Sequence, residues 1–430
     1  MVTAGTERSG VRELLAPPGF RRLLLSRFAS QWGDGVYQAG LAGAVLFNPE
    51  RAADALTIAG GFAALLLPYS VLGPFAGALL DRWDRRQVLV VANLLRAVAI
   101  GMSALSVGLG TEGVPLFALA LVVMGISRFA GCGLSASLPH VVPPAKLVGA
   151  NALATTLGSI VAVLGGGCAI ALRAVLGQDD VGSAWTTACA IAGSLVAAVI
   201  AARFARGELG PSTVDEPAVA VLAVARGLAD GARAVLRTPS VRAGFLGLFA
   251  HRVGFGISLL LTVLLMRFSF TDHGLLRAGL TGLGQLALLA GAGLLLGGLV
   301  TPRLVARFGP RRVITAGLLL AAASLAGLGL PLVLPTVLLA SFTLAVAGQL
   351  VKLCVDAAIQ QDVGDEVRGR VFACYDALFT ITQVAAVVVT ALVAPLDGRA
   401  PGVLLVATAV YGVGALGYLA VTRSSIRTSE

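Results

Sequence analysis

Charged residues are scarce in this chain of 430 residues. Asp, Glu, Lys and Arg make up 13% of it, against about 25% in an average soluble domain. Hydrophobic residues make up 57%, and the mean hydropathy is +0.90. Soluble domains cannot bury so much apolar surface, because each still needs a polar exterior. The composition argues against a soluble enzyme, a nucleic-acid-binding protein and a disordered chain. It predicts an all-α membrane protein.

Histidine, cysteine and lysine are also rare. The three histidines, His140, His251 and His273, are scattered, and neither H-E-x-x-H nor G-x-S-x-G occurs. The five cysteines form no C-x-x-C pair, which leaves no support for a disulfide or metal framework. Neither lysine follows a glycine, so the phosphate loop of an ATP-driven pump is missing. We therefore expect no enzyme, no metal site and no cofactor, with a proton gradient as the energy source.

Long apolar runs dominate the rest of the sequence. A helix that crosses the bilayer needs about 20 apolar residues. Twelve runs meet this length: 20–46, 56–80, 87–109, 115–139, 149–176, 184–205, 241–267, 278–301, 313–330, 333–357, 371–395 and 402–422.

The longest connection between these runs, residues 206–240, divides the chain into two halves. It contains a helical stretch around 218–237, which we expect at the cytoplasmic surface. The predicted organisation is an N-terminal segment, a six-helix bundle, a central loop, a second six-helix bundle and a tail, with the bounds 1–19, 20–205, 206–240, 241–422 and 423–430.

Basic residues are unevenly distributed between the two sides of the predicted membrane. Arginines cluster before span 1, after spans 2 and 8, in the central loop and before span 11. Cytoplasmic loops carry such an excess of Lys and Arg. The pattern predicts that both termini are cytoplasmic, in the cell (plasma or inner) membrane. It also accounts for the net charge of +10 without a nucleic-acid partner. The expected partners are the lipid bilayer and a small-molecule substrate, and we expect a monomer.

Two loops of the sequence resemble each other. Residues Leu79–Arg86 follow span 2 and Leu304–Arg312 follow span 8. Each has two aliphatic residues, a variable position, an arginine, an aromatic residue and then a basic pair. Gly149 and Gly369 open spans 5 and 11 at a similar offset, close to half the chain length. The alternative is that any cytoplasmic loop is rich in arginine. Duplication predicts two pseudo-symmetric bundles with a substrate site between them, near the middle of the membrane.

The first of these loops resembles the signature of the major facilitator superfamily, Gly-x3-Asp-Arg/Lys-x-Gly-Arg/Lys-Arg/Lys. Asp84 replaces the second glycine, and the matching residues are Gly77, Asp81, Arg82, Arg85 and Arg86. The resemblance covers residues 20–422 and implies the major facilitator fold. It also implies that Asp81 contacts the start of span 11, around 368–370, and locks the outward-facing state.

Within the superfamily, the sequence is most similar to the branch of macrolide-efflux proteins and the enterobactin exporter. The supporting stretches are 67–69, 73–74, 149–152, 231–233, 237–239 and 368–371. One stretch departs from the pattern of many antiporters of the superfamily, which carry a Gly-Pro pair in span 5. This chain has Gly165-Gly166-Gly167 there, without a proline.

Polar side chains form stripes on several otherwise apolar spans. Residues three or four apart share one face of a helix. Such stripes comprise Arg27, Gln31, Asp34 and Gln38 in span 1, Gln349, Lys352, Asp356 and Gln360 in span 10, and Asp376, Thr380 and Gln383 in span 11. His251 and Arg252 add polar groups to span 7. By the resemblance, spans 1, 4, 7 and 10 line the transport cavity.

Charged groups in the bilayer need a partner or a role. Asp34 either exchanges protons or contacts substrate, or it is a structural partner of Arg128 or Arg27. Arg128 has the matching alternatives of counter-charge and structural group, whereas Arg96 with Asn93 is expected to be structural. The predicted coupling and substrate residues are Asp34, Arg128, Gln31, Gln38, Arg27, His251, Arg252 and Gln349. The predicted gating residues are Gly77, Asp81, Arg82, Arg85, Arg86, Lys352, Asp356, Arg370 and Asp376.

Together these features predict a secondary active transporter that works by alternating access. The favoured hypothesis is proton-coupled export of a small hydrophobic or amphipathic molecule, such as an antibiotic, a siderophore or another secondary metabolite. The alternatives are an importer or a lipid flippase with the same fold. A channel would differ from all of these because it shows no saturation and no exchange.

Overall fold

The computed structural model describes residues 13, 15–46, 54–64, 83–143, 146–210 and 220–427. These ranges contain thirteen helices, α1 to α13, and no strand apart from an isolated bridge between His273 and Leu276. The all-α architecture predicted from composition is confirmed.

Six helices belong to the first half of the sequence. Their bounds are α1 Pro18–Leu46, α2 Ala55–Ala64, α3 Arg85–Gly108, α4 Val114–Val141, α5 Leu147–Leu176 and α6 Asp180–Ala202. Most of predicted span 2, residues 65–80, lies outside the described residues, as do Asp81 and Arg82.

Seven helices belong to the second half. Their bounds are α7 Ala220–Arg237, α8 Pro239–Leu264, α9 Gly279–Phe308, α10 Pro310–Ser324, α11 Leu334–Asp362, α12 Asp365–Val393 and α13 Pro401–Arg427. Two of them end in a π-helical turn, α8 at Leu265–Ser269 and α10 at Leu325–Gly329. Helix α7 coincides with the helical stretch predicted in the central loop.

Ten of these helices, α3–α6 and α8–α13, are long and apolar enough to cross a membrane. They correspond to predicted spans 3–12. Helix α1 follows predicted span 1 over its full length, but its charged and amide side chains lower its hydropathy. Large apolar side chains on the outer faces remain exposed, for example Leu105 at 63% and Leu416 at 70%. Such faces suit contact with lipid chains rather than with water.

Local sequence signals set the ends of the helices. Proline occupies the first turn of α4, α8, α10 and α11, where its missing N–H costs nothing. The Asp84 carboxylate caps α3 by accepting from the Arg86 N–H at 3.0 Å, and Asp179 caps α6 in the same way. Gly309, with φ of 78°, allows the chain to pass directly from α9 into α10.

The chain forms two compact units. The first comprises residues 1–50 and 71–220, and the second comprises 51–70 and 221–430, so α2 groups with the second unit. In the first unit α1 packs against α5 and α6 through bare backbone. A Cβ atom on Gly35 would lie 1.9 Å from the Ala162 carbonyl oxygen, and one on Gly165 would lie 2.3 Å from that of Trp32. Between α1 and α6, a Cβ atom on Gly193 would lie 2.8 Å from the Gly33 Cα atom, so these two helices also contact each other through backbone.

Helices of the second unit use the same device. A Cβ atom on Gly293 of α9 would lie 2.4 Å from the Phe342 carbonyl oxygen of α11, and one on Gly297 would lie 2.8 Å from the Gln349 Cβ atom. The pair Gly293-x3-Gly297 is therefore a helix contact, although a chain with 54 glycines contains many such pairs by chance.

Candidate functional site

Asp34 lies at the centre of a polar cluster in the first unit. Its carboxylate on α1 accepts from the Arg96 Nη1 atom of α3 at 3.1 Å and from the Ser127 hydroxyl of α4 at 2.7 Å. The Asp34 side chain is 20% exposed, whereas the Arg96 side chain is fully buried. A carboxylate and a guanidinium thus meet inside a bundle of apolar helices, and only the carboxylate is partly exposed.

Arg96 has further partners that do not depend on Asp34. Its guanidinium donates to the hydroxyls of Ser30 at 2.8 Å, Ser194 at 2.9 Å and Ser127 at 3.3 Å. Asp34 and these four residues are called the Arg96 cluster below. Four helices, α1, α3, α4 and α6, therefore meet at one guanidinium. These hydrogen bonds offset the cost of removing its charge from water.

This geometry corrects the expected partner of Asp34. From the sequence, Arg128 or Arg27 is the predicted structural partner of Asp34, and Arg96 is predicted to be structural with Asn93. The structure places Arg96 on Asp34, while the Asn93 amide donates to the Leu89 carbonyl of its own helix at 2.7 Å. Neighbouring residues on a helix point about 100° apart. Ser127 therefore faces the cluster, and the Cα–Cβ bond of its neighbour Arg128 starts about 100° further round the helix.

Arg27 and Gln31 lie away from the Arg96 cluster, against the backbone of α5. A Cβ atom on Gly158 would lie 3.4 Å from the Arg27 Nε atom and 3.4 Å from the Gln31 side-chain carbon. The Arg27 Nε atom is buried and has no hydrogen-bond partner in the described part of the chain. Gln38 is half-buried on the same helix. The predicted stripe on α1 is thus divided between two neighbouring surfaces.

A second polar cluster lies in the second unit around Arg252 of α8. Its Nη1 atom donates to the Gln383 side-chain oxygen of α12 at 2.9 Å, and its guanidinium carbon lies 4.8 Å from the centre of the Phe379 ring. The predicted residues of spans 7 and 11 therefore meet. An amide and an aromatic face hold the cation.

The aromatic side chains of α12 connect Arg252 with the predicted gate pair on α11. The Lys352 Nζ atom donates to Asp356 at 2.5 Å and lies 5.9 Å from the Tyr375 ring centre. The Tyr375 and Phe379 rings are 4.1 Å apart in an edge-to-face arrangement. The name Arg252 patch is used below for these side chains together: Arg252, Lys352, Asp356, Tyr375, Phe379 and Gln383. Sequence reasoning missed its two aromatic residues, although their spacing of four places them on one face of α12.

His251 is enclosed by apolar and aromatic groups. Its buried ring lies 6.0 Å from the Phe255 ring and 5.6 Å from the Tyr411 ring. A Cβ atom on Gly348 would lie 2.4 Å from the His251 Nε2 atom, so the imidazole rests directly on the backbone of α11. These contacts favour a packing role, and the proton-relay role remains a prediction.

The expectation that the protein has no metal site stays a prediction. Across residues 13–427, within the ranges that the structure describes, no three His, Cys, Asp or Glu side chains form a group able to hold a metal ion. All five cysteines are free.

Comparisons with known proteins identify the family of this chain. The sequence model of the Major Facilitator Superfamily matches residues 23–387. The chain belongs to the major facilitator superfamily. It is 44% identical over 408 residues to an uncharacterized MFS-type transporter of Mycobacterium tuberculosis, and the match covers 94% of this chain and 91% of that protein.

Solved structures show the same major facilitator fold at low sequence identity. The chain is similar to the nucleoside transporter NupG (D323A mutant) with a TM-score of 0.70 at 12% identity, covering 94% of this chain and 99% of that one. It is also similar to a POT family transporter in complex with 5-aminolevulinic acid, with a TM-score of 0.69 at 16% identity, covering 96% and 97%. The family match, the MFS-type transporter relative and the ten long apolar helices together make the protein a multi-pass membrane transporter.

The basic pair of the superfamily signature is engaged by the first unit itself. Arg85 is buried and donates to the carbonyl oxygens of Ala136 at 2.9 Å and Leu209 at 3.4 Å. Arg86 donates to the Ala202 carbonyl oxygen at 2.9 Å. The pair thus fixes the end of α6 and the turn after it onto α3 and α4. The other signature residues, Gly77, Asp81 and Arg82, lie outside the described residues.

The start of α12 is held by α7, which the superfamily signature does not include. Arg370 donates to the Asp230 carboxylate at 3.0 Å, and Arg233 pairs with the same carboxylate at 2.9 Å. A Cβ atom on Gly231 would lie 2.5 Å from the Arg370 carbonyl oxygen. Asp376, one and a half turns further along α12, is exposed. The gating roles of Arg370, Asp376 and the signature residues remain predictions.

Proposed function

We propose that this major facilitator transporter exports a small hydrophobic or amphipathic molecule in exchange for protons, by alternating access. The observation that carries the proposal is the Arg96 cluster. It joins a partly exposed carboxylate to a fully buried guanidinium at 3.1 Å.

The cluster has the parts that a proton-operated switch requires. With Asp34 ionised, its charge and that of Arg96 neutralise each other, and α1 is attached to α3 and α4. Protonation of Asp34 removes most of this attraction, because a neutral carboxyl has no net charge for the guanidinium to bind. Arg96 also donates to Ser30 and Ser194, and neither bond involves Asp34. The switch therefore changes one contact of α1 without leaving Arg96 devoid of partners.

The substrate class follows from the side chains available for binding. Besides the cations, the polar stripes offer amides and hydroxyls, and the Arg252 patch offers two aromatic faces. Aromatic and amide groups suit a largely apolar molecule with a few polar atoms. The resemblance to the macrolide-efflux and enterobactin-exporter branch supports export, hence antiport and a role in antibiotic resistance. The distribution of arginines supports cytoplasmic termini in the cell membrane.

Transport in inside-out vesicles tests this proposal. A deletion strain screened against antibiotics and siderophores first identifies a transported compound. Vesicles with wild-type protein should then accumulate it when their lumen is acidic, and an ionophore that collapses the pH gradient should stop uptake. Asp34→Asn should reduce gradient-driven uptake at least tenfold, since the amide cannot release a proton. Glu112→Gln, which alters an exposed carboxylate in the loop between α3 and α4, should transport like wild type.

Two outcomes would contradict proton-coupled export. Uptake that ignores the collapsed gradient, together with normal uptake by Asp34→Asn, removes proton coupling. Accumulation only in right-side-out vesicles indicates an importer. Exchange of a labelled phospholipid between leaflets, without uptake of the compound, indicates a flippase.

A further inference from the structure

A surface groove in the second unit combines two arginines with an apolar floor. It lies between α10 and α13 and has a volume of about 500 Å³. Its lining residues are Arg311, Arg312, Thr315, Ala316, Leu319 and Leu419. Its polar lining is thus concentrated at one end, at the start of a helix long enough to cross the membrane.

The helical repeat explains this polarity. Arg312, Ala316 and Leu319 follow one another at steps of four and three, so they share a face of α10. The rise along a helix places Leu319 roughly 10 Å deeper into the bilayer than Arg312. Leu319 is 52% exposed and Ala316 is exposed as well, so this face is open to its surroundings. The groove therefore runs from the membrane surface into the hydrocarbon region.

The two arginines are the repeat counterparts of Arg85 and Arg86 in the first unit, but their surroundings differ. Arg85 and Arg86 donate to backbone carbonyls. In the part of the chain that the structure describes, neither the Arg311 nor the Arg312 guanidinium has a hydrogen-bond acceptor or an acidic partner from the protein. The basic pair of the first unit thus stabilises the fold, whereas Arg311 and Arg312 of the second unit are available to bind an external anion.

We propose that this groove binds an anionic phospholipid. The phosphate would accept from Arg311 and Arg312, and an acyl chain would lie along Ala316, Leu319 and Leu419. Charge complementarity selects the headgroup, because guanidinium groups form paired hydrogen bonds with phosphate oxygens. The depth of the groove selects a lipid over a free anion, because a free phosphate leaves the apolar floor uncovered. Basic pockets between membrane helices bind anionic headgroups in this way.

Lipid titration of the purified full-length protein in a neutral detergent tests the site. Phosphatidylglycerol should raise the apparent Tm of the wild type, and phosphatidylcholine should not. In Arg311→Gln/Arg312→Gln the concentration of phosphatidylglycerol needed for the same rise should increase roughly 30-fold, given the contribution of each basic residue near an anionic headgroup. The matched control is Arg303→Gln/Arg307→Gln, which removes two exposed arginines near the end of α9. They have partners within the protein, Leu299 and Phe308, and this control should respond like wild type.

A second variant separates the lipid chain from the headgroup. Ala316→Trp fills the groove and keeps both arginines, and its site is exposed, so the bundle core is unaffected. It should lose most of the stabilisation by phosphatidylglycerol. An equal response of the two double variants would overturn the proposal, as would an unchanged response of Ala316→Trp. Stabilisation of the wild type by inorganic phosphate alone would assign the arginines to a free anion instead.

Discussion

Arg96→Met should destabilise the transporter by about 3–5 kcal/mol, the usual cost of removing one partner of a buried ion pair. The variant leaves the Asp34 carboxylate without its cation, and it leaves the hydroxyls of Ser30 and Ser194 without the donor that they share. The measurement is the apparent Tm of purified protein, together with the yield of monodisperse protein after extraction from the membrane.

The double variant Asp34→Asn/Arg96→Met distinguishes a broken ion pair from lost packing. It removes both charges and keeps two side chains of similar size. If the ion pair causes the loss, the double variant should be more stable than Arg96→Met, because no unpaired charge remains buried. A double variant as unstable as Arg96→Met would assign the loss to packing around the serines. Stability of Arg96→Met equal to wild type would contradict the structural account of the cluster.

Gly165→Ala should also lower the stability of the transporter strongly. Its methyl group would lie 2.3 Å from the Trp32 carbonyl oxygen, a backbone atom that cannot turn aside. Helices α1 and α5 would have to separate, and overpacking of this kind costs about 1–3 kcal/mol or more. The apparent Tm should fall accordingly, and transport should fall with it, because α1 carries Asp34.

The neighbouring glycine provides a control on the same helix. A Cβ atom on Gly167 meets no atom within 4 Å. Gly167→Ala should therefore be neutral or slightly stabilising, since alanine has the higher helix propensity by about 1 kcal/mol. Equal losses for the two alanine variants would show that the glycine run matters for its flexibility and not for close packing. The Gly165–Gly167 run, where many antiporters of the superfamily have a Gly-Pro pair, would then need another explanation.

The sequence contained most of the information about the fold. Runs of about 20 apolar residues located ten membrane-crossing helices, because a bilayer demands both length and hydropathy. The helical stretch predicted around 218–237 in the central loop located α7. Neither signal depends on how the helices are arranged in space, which is why both could be read from one sequence.

The partner of Asp34 could not be read in the same way. A polar stripe gives the face of one helix, but pairing depends on which helices are neighbours and at what height. Asp34 and Arg96 are 62 positions apart in sequence and meet because α1 and α3 both pack against α6. Three serines surround the guanidinium, and they come from three different helices, so no spacing in the sequence marks them as a group. Of the predicted coupling and cavity residues, the structure brings Arg252 together with Gln383 and the gate pair. It leaves Arg27 and Gln31 on a different surface from the Arg96 cluster.

The glycine contacts of α1 have a consequence for the kinetics of transport. Side chains that interlock across a helix interface must change rotamers before the helices can slide. At Gly33 and Gly35 the surface of α1 is nearly smooth, and Gly193 and Gly165 present similar surfaces on α6 and α5. At these glycines a small shear of α1 along either neighbour is not opposed by interlocked side chains. We therefore expect the time needed for such a displacement to depend on the breaking of polar contacts such as Asp34–Arg96.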